Sequence, residues 1–132
     1  MATINYPETP IGNDVLVGPG IWIGLADIGD DVLMANNVTI LSGRNHHNYE
    51  RRDIPIRKQG GHRTMVKIGR DVWLGSGTKI TCDVNEGSVV ATGAVVTKLY
   101  EPYAILAGIP AKPIGIRGTS VAESPLTASA QL

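Results

Sequence analysis

The sequence predicts an all-β domain of short strands stacked coil upon coil, and three observations lead to that class. Aliphatic residues recur every six positions, first as Ile11-Gly12, Val17-Gly18 and Ile23-Gly24. Turn-forming pairs such as Asn13-Asp14 and Asp30-Asp31 stand between them. Phe is absent while Gly is abundant, so the core must consist of small aliphatic side chains in thin layers.

Each six-residue unit is expected to form a short strand followed by a corner. Neither the helical period of 3.6 nor simple alternation explains the spacing, and Gly and Asn accept the positive φ of tight corners. A single unit cannot bury its apolar side and needs a neighbouring coil about 4.8 Å away. The first inward set is Ile11, Val17, Ile23, Ile28, Met34, Ile40, Ile68, Leu74, Ile80, Val90 and Val96. The second, four positions later, is Val15, Ile21, Val32, Val38, Val72, Thr78, Val84 and Ala94.

The period is interrupted in three places. The steps from Ile23 to Ile28 and from Ile80 to Val90 are shorter than whole units, which we interpret as tightened corners. A much longer interruption, residues 41–67, is predicted to be a loop inserted in the repeat, and loops of such length are commonly functional. We therefore predict a repeat domain over residues 1–117 and a loose Ser-, Thr- and Ala-rich tail over residues 118–132.

Composition excludes several classes of function. The first residues do not resemble a secretory signal, and no segment is apolar enough to span a membrane, so a cytoplasmic location is expected. Cys82 is the only cysteine, which excludes an intrachain disulfide and a thiolate zinc cluster and favours a small packing residue. No metal and no nucleic-acid partner are expected.

Charge is concentrated in the loop although the whole chain is neutral. Residues 41–67 carry seven basic and two acidic residues, a net charge of +5, which leaves −5 on the rest. This asymmetry is typical either of an anionic partner or of a solvated loop.

The same loop contains all three histidines, His46, His47 and His62. Histidine is largely neutral near pH 7 and can accept a proton, which makes it a natural general base. The adjacent pair His46 and His47 is therefore the candidate for a general base, whereas His62 is expected to be a surface or hydrogen-bonding residue.

Three further segments are informative in combination with the repeat: residues 71–77 (DVWLGSG), 91–98 (ATGAVVTK) and 107–112 (AGIPAK). With the loop segment SGRNHHNYERRDIPI, they resemble the hexapeptide-repeat acyltransferases over residues 11–114, most closely the xenobiotic, galactoside and polysaccharide O-acetyltransferases. The resemblance implies a three-sided, left-handed parallel β-helix of about four to five coils with one long protruding loop. It also implies a homotrimer that uses acetyl-CoA.

The resemblance assigns catalytic roles by position. Aligned on Ser42-Gly43 and Asn45, the general base is His46, with His47 as the alternative. Ser76 places its backbone N–H to stabilise the tetrahedral oxyanion. Trp73 flanks the active site or packs at a trimer interface.

Cofactor-binding residues follow in the same way. The resemblance places the backbone near Ser76, Thr92 and Thr97 along the pantetheine arm, and Lys98 and Lys112 near the nucleotide phosphates. A further arginine of some relatives is replaced here by Gly115, and Arg117 is the nearest substitute.

The acceptor is expected to be a sugar or polysaccharide hydroxyl, and the amine of an amino sugar or a non-catalytic β-helix scaffold remain alternatives. A three-histidine zinc enzyme of the same fold is disfavoured because the adjacent His46 and His47 cannot easily both face one metal ion.

Overall fold

The computed structural model describes residues 1–119, which form short strands and one 3-10 helix, Ile56–Lys58. The strands are β1 (Thr3–Ile4), β2 (Leu16–Val17), β3 (Trp22–Ile23), β4 (Ala26–Ile28), β5 (Leu33–Met34), β6 (Thr39–Ile40), β7 (Val66–Ile68), β8 (Trp73–Leu74), β9 (Lys79–Ile80), β10 (Val89–Val90), β11 (Val95–Val96), β12 (Ala104–Ala107) and β13 (Lys112–Ile116). Of the predicted tail, residues 118–132, the part after Thr119 lies outside the described residues.

The strands form three sheets that the chain visits in rotation. Sheet A has the order β1-β3-β6-β9-β11, and sheet C has the order β13-β12-β10-β8-β5-β2. Sheet B consists of β4 and β7 and is extended by the bridges Ile11 to Ile28 and Ile68 to Val84. All pairs are parallel except β12 with β13. Parallel strands joined in this rotation make a three-sided coil, as the resemblance to the hexapeptide-repeat acyltransferases implies.

The core consists of inward side chains stacked in register. On sheet A, Ile23, Ile40 and Ile80 face one another from successive strands and are fully buried. Both sets of predicted inward positions are buried through the middle of the stack, which confirms the interpretation of the period there. Ile11 and Val17 are instead exposed, because Ile11 lies at the end of sheet B and Val17 at the end of sheet C, and no described strand covers that rung.

All changes in coil length occur at the corner between sheets A and B, which we call the A–B corner. Five residues separate Ile23 from Ile28 there, and the long loop leaves after β6 and returns at β7. The expectation for Val84 was wrong in one respect. Val84 pairs with Ile68 on sheet B and so belongs to the first inward set, only four residues after Ile80.

The other two corners are regular and use left-handed backbone. Between sheets B and C, Asp14, Asp31 and Asp71 have φ of 57°, 60° and 56°, and Asn37 takes the same conformation between sheets C and A. The corners also bond to one another, for instance Asp31 N–H to the Asn13 carbonyl at 2.9 Å. The turn-forming pairs of the sequence are therefore confirmed as corners.

Gly87 and Gly93 provide a matched test of corner packing, since their φ values are 70° and 75°. A Cβ at Gly87 would overlap the Tyr103 ring, whereas a Cβ at Gly93 would meet nothing within 4 Å. Both substitutions to Ala cost about 1–2 kcal/mol for the left-handed backbone, and Gly87→Ala adds about 1–3 kcal/mol of overpacking. At matched protein concentration, we expect Gly87→Ala to have a clearly lower melting temperature than Gly93→Ala. Equal losses would contradict the packing of Tyr103 against this corner.

Candidate active site

The long loop is a closed protrusion whose two ends pair with each other. Thr64 N–H donates to the Ser42 carbonyl at 2.8 Å, and His62 N–H donates to the Asn45 carbonyl at 3.1 Å. Further out, Asn48 N–H donates to the Gly60 carbonyl at 2.8 Å. Because Val66 and Lys67 belong to β7, the loop covers residues 41–65 rather than the predicted 41–67.

The tip of the loop is organised by Gln59. The Gln59 amide accepts a hydrogen bond from Arg51 N–H and donates to the carbonyls of Arg51 and Ile54, at 3.1, 2.7 and 3.0 Å. The Arg51 guanidinium also pairs with Asp53 and lowers the pKa of that carboxyl. The tip is thus held by its own hydrogen bonds while Arg52 and its basic neighbours stay exposed.

The three histidines differ in environment. His46 is half-buried, whereas His47 and His62 are exposed. The His46 Nε2 atom is buried and has no hydrogen-bond partner among residues 1–119. When unprotonated, a ring nitrogen that the protein leaves without a partner keeps its lone pair, and it can accept a proton from a substrate once rotation of the ring exposes it.

Ser76 lies at the corner between sheets C and A, two residues after β8 ends. Its hydroxyl donates to the Asn36 Oδ1 atom at 2.6 Å, and its carbonyl accepts from Gly93 N–H at 2.9 Å. Its own backbone N–H makes no hydrogen bond within the described part of the chain. A free, fixed N–H is the group that an oxyanion site requires.

Asn36 is a contact of Ser76 that the sequence interpretation missed. Its place beside Ser76, forty residues later, depends on how the coils stack. Counting coils across the loop would have aligned the Asn36-Asn37 corner with the Ser76-Gly77 corner.

Trp73 projects from β8 on the outer side of sheet C and is 37% exposed. It lies in a column of outward apolar side chains that pair in register, Leu16, Leu33, Trp73, Val89 and Ile105. Its position therefore favours the interface alternative of the sequence interpretation without excluding the other.

The structure does not bring all the predicted catalytic residues together by hydrogen bonding. The loop with His46 is anchored at the A–B corner, whereas Ser76 stands at the corner between sheets C and A. Within residues 1–119, no hydrogen bond or ion pair joins the loop to Trp73 or Ser76.

Two predicted cofactor lysines lie on one cleft. Lys98 and Lys112 line a cavity of about 160 Å³ together with Thr97 and Tyr100. Both lysines are exposed, so their ammonium groups are available to an anion. Thr92 is exposed at the corner between sheets C and A and does not line this cleft.

Arg117 lies apart from that cleft, contrary to its expected role as a substitute phosphate ligand. In the antiparallel pair of β12 and β13, Lys112 pairs with Ala107 while Ile116 pairs with Ala104, so the two basic residues lie at opposite ends of β13. The Arg117 Nη1 atom is 2.9 Å from the Asp71 carboxylate and 3.2 Å from the Gly87 carbonyl. Arg117 therefore ties the last hairpin to a corner.

A larger cavity of about 320 Å³ lies where the loop meets the coils, and Arg44, Asn45, Cys82 and Leu99 line it. Burial and the Asp83 carboxylate raise the pKa of the Cys82 thiol, while the charge of Arg44 opposes them. A raised pKa leaves less thiolate, so the environment does not favour a nucleophilic cysteine.

Two comparisons with known proteins decide the family. The chain is 37% identical over 91 residues to the galactoside O-acetyltransferase of Escherichia coli, covering 66% of this chain and 42% of that protein. A maltose O-acetyltransferase structure from Clostridium difficile matches with a TM-score of 0.68 and 25% identity, covering 87% of this chain and 68% of that one. The chain belongs to the hexapeptide-repeat acyltransferases. The predicted left-handed parallel β-helix with a protruding loop is confirmed.

Other relatives of this hexapeptide-repeat chain differ in name and extent. A chloramphenicol acetyltransferase of Agrobacterium fabrum is 53% identical over 49 residues, covering 36% of this chain and 23% of that protein. A hexapeptide-repeat acetyltransferase of Vibrio cholerae, solved with acetyl coenzyme A, has a TM-score of 0.70 and 24% identity, covering 86% and 63% of the two chains. No protein-family profile matches the chain. The chain spans less than half the length of the curated relatives it matches.

Within residues 1–119, no helix is long and apolar enough to cross a membrane. No group of three or more His, Cys, Asp or Glu side chains in that part is arranged to hold a metal ion.

Proposed function

We propose that this chain transfers an acetyl group from acetyl-CoA to a hydroxyl of a sugar or polysaccharide precursor, with His46 as the general base. The observation that carries the proposal is the enclosed, unpartnered His46 Nε2 at the base of a long loop. The named acetyltransferases among its relatives support the same reaction class.

The reaction needs one proton transfer at each end. His46 Nε2 accepts the hydroxyl proton as the acceptor oxygen attacks the thioester carbonyl, and the tetrahedral oxyanion forms opposite the free Ser76 N–H. When the intermediate collapses, the carbon–sulfur bond breaks and His46 returns the proton to the thiolate of CoA. The products are the acetyl ester and free CoA.

The acceptor can be identified by following thiol release from acetyl-CoA. Neutral sugars, acidic sugars, amino sugars and chloramphenicol form a suitable panel, since relatives are named for galactoside and for chloramphenicol. The basic loop favours acidic acceptors. The amine of an amino sugar remains the alternative acceptor. If no member of the panel caused thiol release, the scaffold alternative would be favoured.

A cytoplasmic location stays a prediction.

We also propose that the chain is a homotrimer whose active sites lie between subunits. His46 and Ser76 belong to different corners of one chain, so a neighbouring chain would supply the missing partner. The apolar column on sheet C supports such contacts, because Leu16, Leu33 and Trp73 each expose more than a third of their surface.

The first prediction concerns the base. His46→Ala should lower the turnover number by about 10²–10⁴-fold, because the acceptor hydroxyl then loses its proton acceptor. The affinity for acetyl-CoA should change little, since backbone groups and lysines are expected to bind it. Steady-state thiol release and calorimetric titration with CoA measure the two quantities. His47→Ala is the control and should be nearly normal. An inactive His47→Ala beside an active His46→Ala would move the role to His47.

A second prediction separates the two lysines from Arg117. Replacing Lys98 and Lys112 together with Ala should raise the Michaelis constant for acetyl-CoA about tenfold and flatten its dependence on salt, because the cofactor phosphates lose both charges. Arg117→Ala should leave that constant unchanged and lower the melting temperature, because it removes the contact with Asp71. If Arg117→Ala instead raised the Michaelis constant for acetyl-CoA more than the double lysine variant does, Arg117 would belong to the cofactor site.

The third prediction concerns assembly. Leu33→Glu places a charge in the apolar column on sheet C and should shift the trimer towards monomers at micromolar concentration, because the charge would lose hydration at the contact. Thr39→Glu, on sheet A, is the control and should leave the mass unchanged. Light scattering after size exclusion measures both. A wild-type monomer at this concentration would refute the trimer.

A further inference from the structure

One side chain connects the base of the long loop to the last regular coil. The Arg44 Nη1 atom donates a hydrogen bond to the Thr97 carbonyl at 2.7 Å, across 53 positions of sequence. Arg44 stands two residues before His46, and Thr97 directly precedes Lys98. In the described residues, this is the only hydrogen bond from loop residues 41–65 to residues 81–119.

The remaining anchors of the loop base lie lower in the stack. The Ser42 hydroxyl accepts from Leu25 N–H at 2.8 Å, and Leu41 N–H donates to the Ile80 carbonyl at 2.9 Å. Above these anchors, the 320 Å³ cavity separates the loop from Leu99 and Cys82. Arg44 lines this cavity and reaches the coil that carries Lys98. The position of the loop relative to the Lys98 cleft therefore depends on Arg44.

We propose that Arg44 is a positioning residue that couples occupation of the cofactor cleft to the placement of His46. This inference rests on the proposed function. A ligand that binds Lys98 also fixes the position of the neighbouring Thr97 carbonyl. The hydrogen bond from the Arg44 guanidinium to that carbonyl then fixes the position of the loop. Arginine suits this task because its planar donors keep their geometry, whereas lysine offers a mobile ammonium.

Magnitudes indicate an effect on catalysis more than on folding. Arg44 is exposed, and a single hydrogen bond of this kind contributes only about 0.5–1.5 kcal/mol to stability. A misplacement of about 1 Å between reacting groups can, however, cost about 10²-fold in rate. The fold should therefore survive loss of Arg44 while turnover falls.

The test compares Arg44→Ala, Arg44→Lys and the control Arg70→Ala. Among residues 1–119, the only ion pair of Arg70 is the long, exposed one with Asp31 at 3.8 Å. Arg44→Ala should lower the turnover number about tenfold or more, change the Michaelis constant for acetyl-CoA less than threefold, and lower the melting temperature by only a few degrees. Arg44→Lys should recover part of the turnover, because Nζ can still donate to the Thr97 carbonyl. Arg70→Ala should behave as wild type.

Hydrogen exchange gives a readout that does not depend on turnover. Saturating CoA should slow exchange at the His62 and Thr64 amides in the wild type and in Arg70→Ala, but not in Arg44→Ala with CoA bound. Equal slowing in Arg44→Ala, or a raised Michaelis constant with normal turnover, would overturn the coupling and leave the proposed function intact. A wild-type protein that binds no CoA would overturn both.

Discussion

The hydrogen bonds that join each coil to the next are the constraint on which the rest of this structure depends. On sheet B alone, Gly12, Gly29 and Gly69 donate to the carbonyls of Ile28, Ile68 and Val84 at 2.8–2.9 Å. Because these ladders must stay in register on three sides, extra or missing residues can be accommodated only at a corner. Here every change of length falls at the A–B corner, and the loop with His46 leaves from that place.

The same close stacking explains part of the repeat that turn chemistry does not. Glycines after the aliphatic positions, such as Gly29, lie outside the left-handed region. A Cβ at Gly29 would lie 2.8 Å from the Arg70 backbone nitrogen in the next coil. Glycine is needed there because two backbones approach closely, whereas at corners such as Gly20 it is needed for positive φ.

Most of the fold was predictable from the sequence because the six-residue period specifies the strands and the family resemblance, through its three sides, implies their partners. Where the period is interrupted, the sequence does not specify which strands pair. Nothing local assigns Val84 to sheet B after a four-residue step. Contacts at long range were equally hidden. The Ser76 bond to Asn36 needs the coils aligned across the loop, and the separation of Arg117 from Lys112 needs the antiparallel turn between β12 and β13.

This geometry places the residues of the candidate site at different corners, so a single chain does not bring all of them together. The A–B corner carries the loop, and the Lys98 cleft begins just after β11 of sheet A, so base and cofactor lysines share one region. The free Ser76 N–H stands at another corner, beside the outward apolar column of sheet C. In the proposed trimer, contacts through that column decide which loop meets which Ser76. On that proposal, the stacking of coils within one chain supplies only part of the active site, and the association of chains supplies the rest.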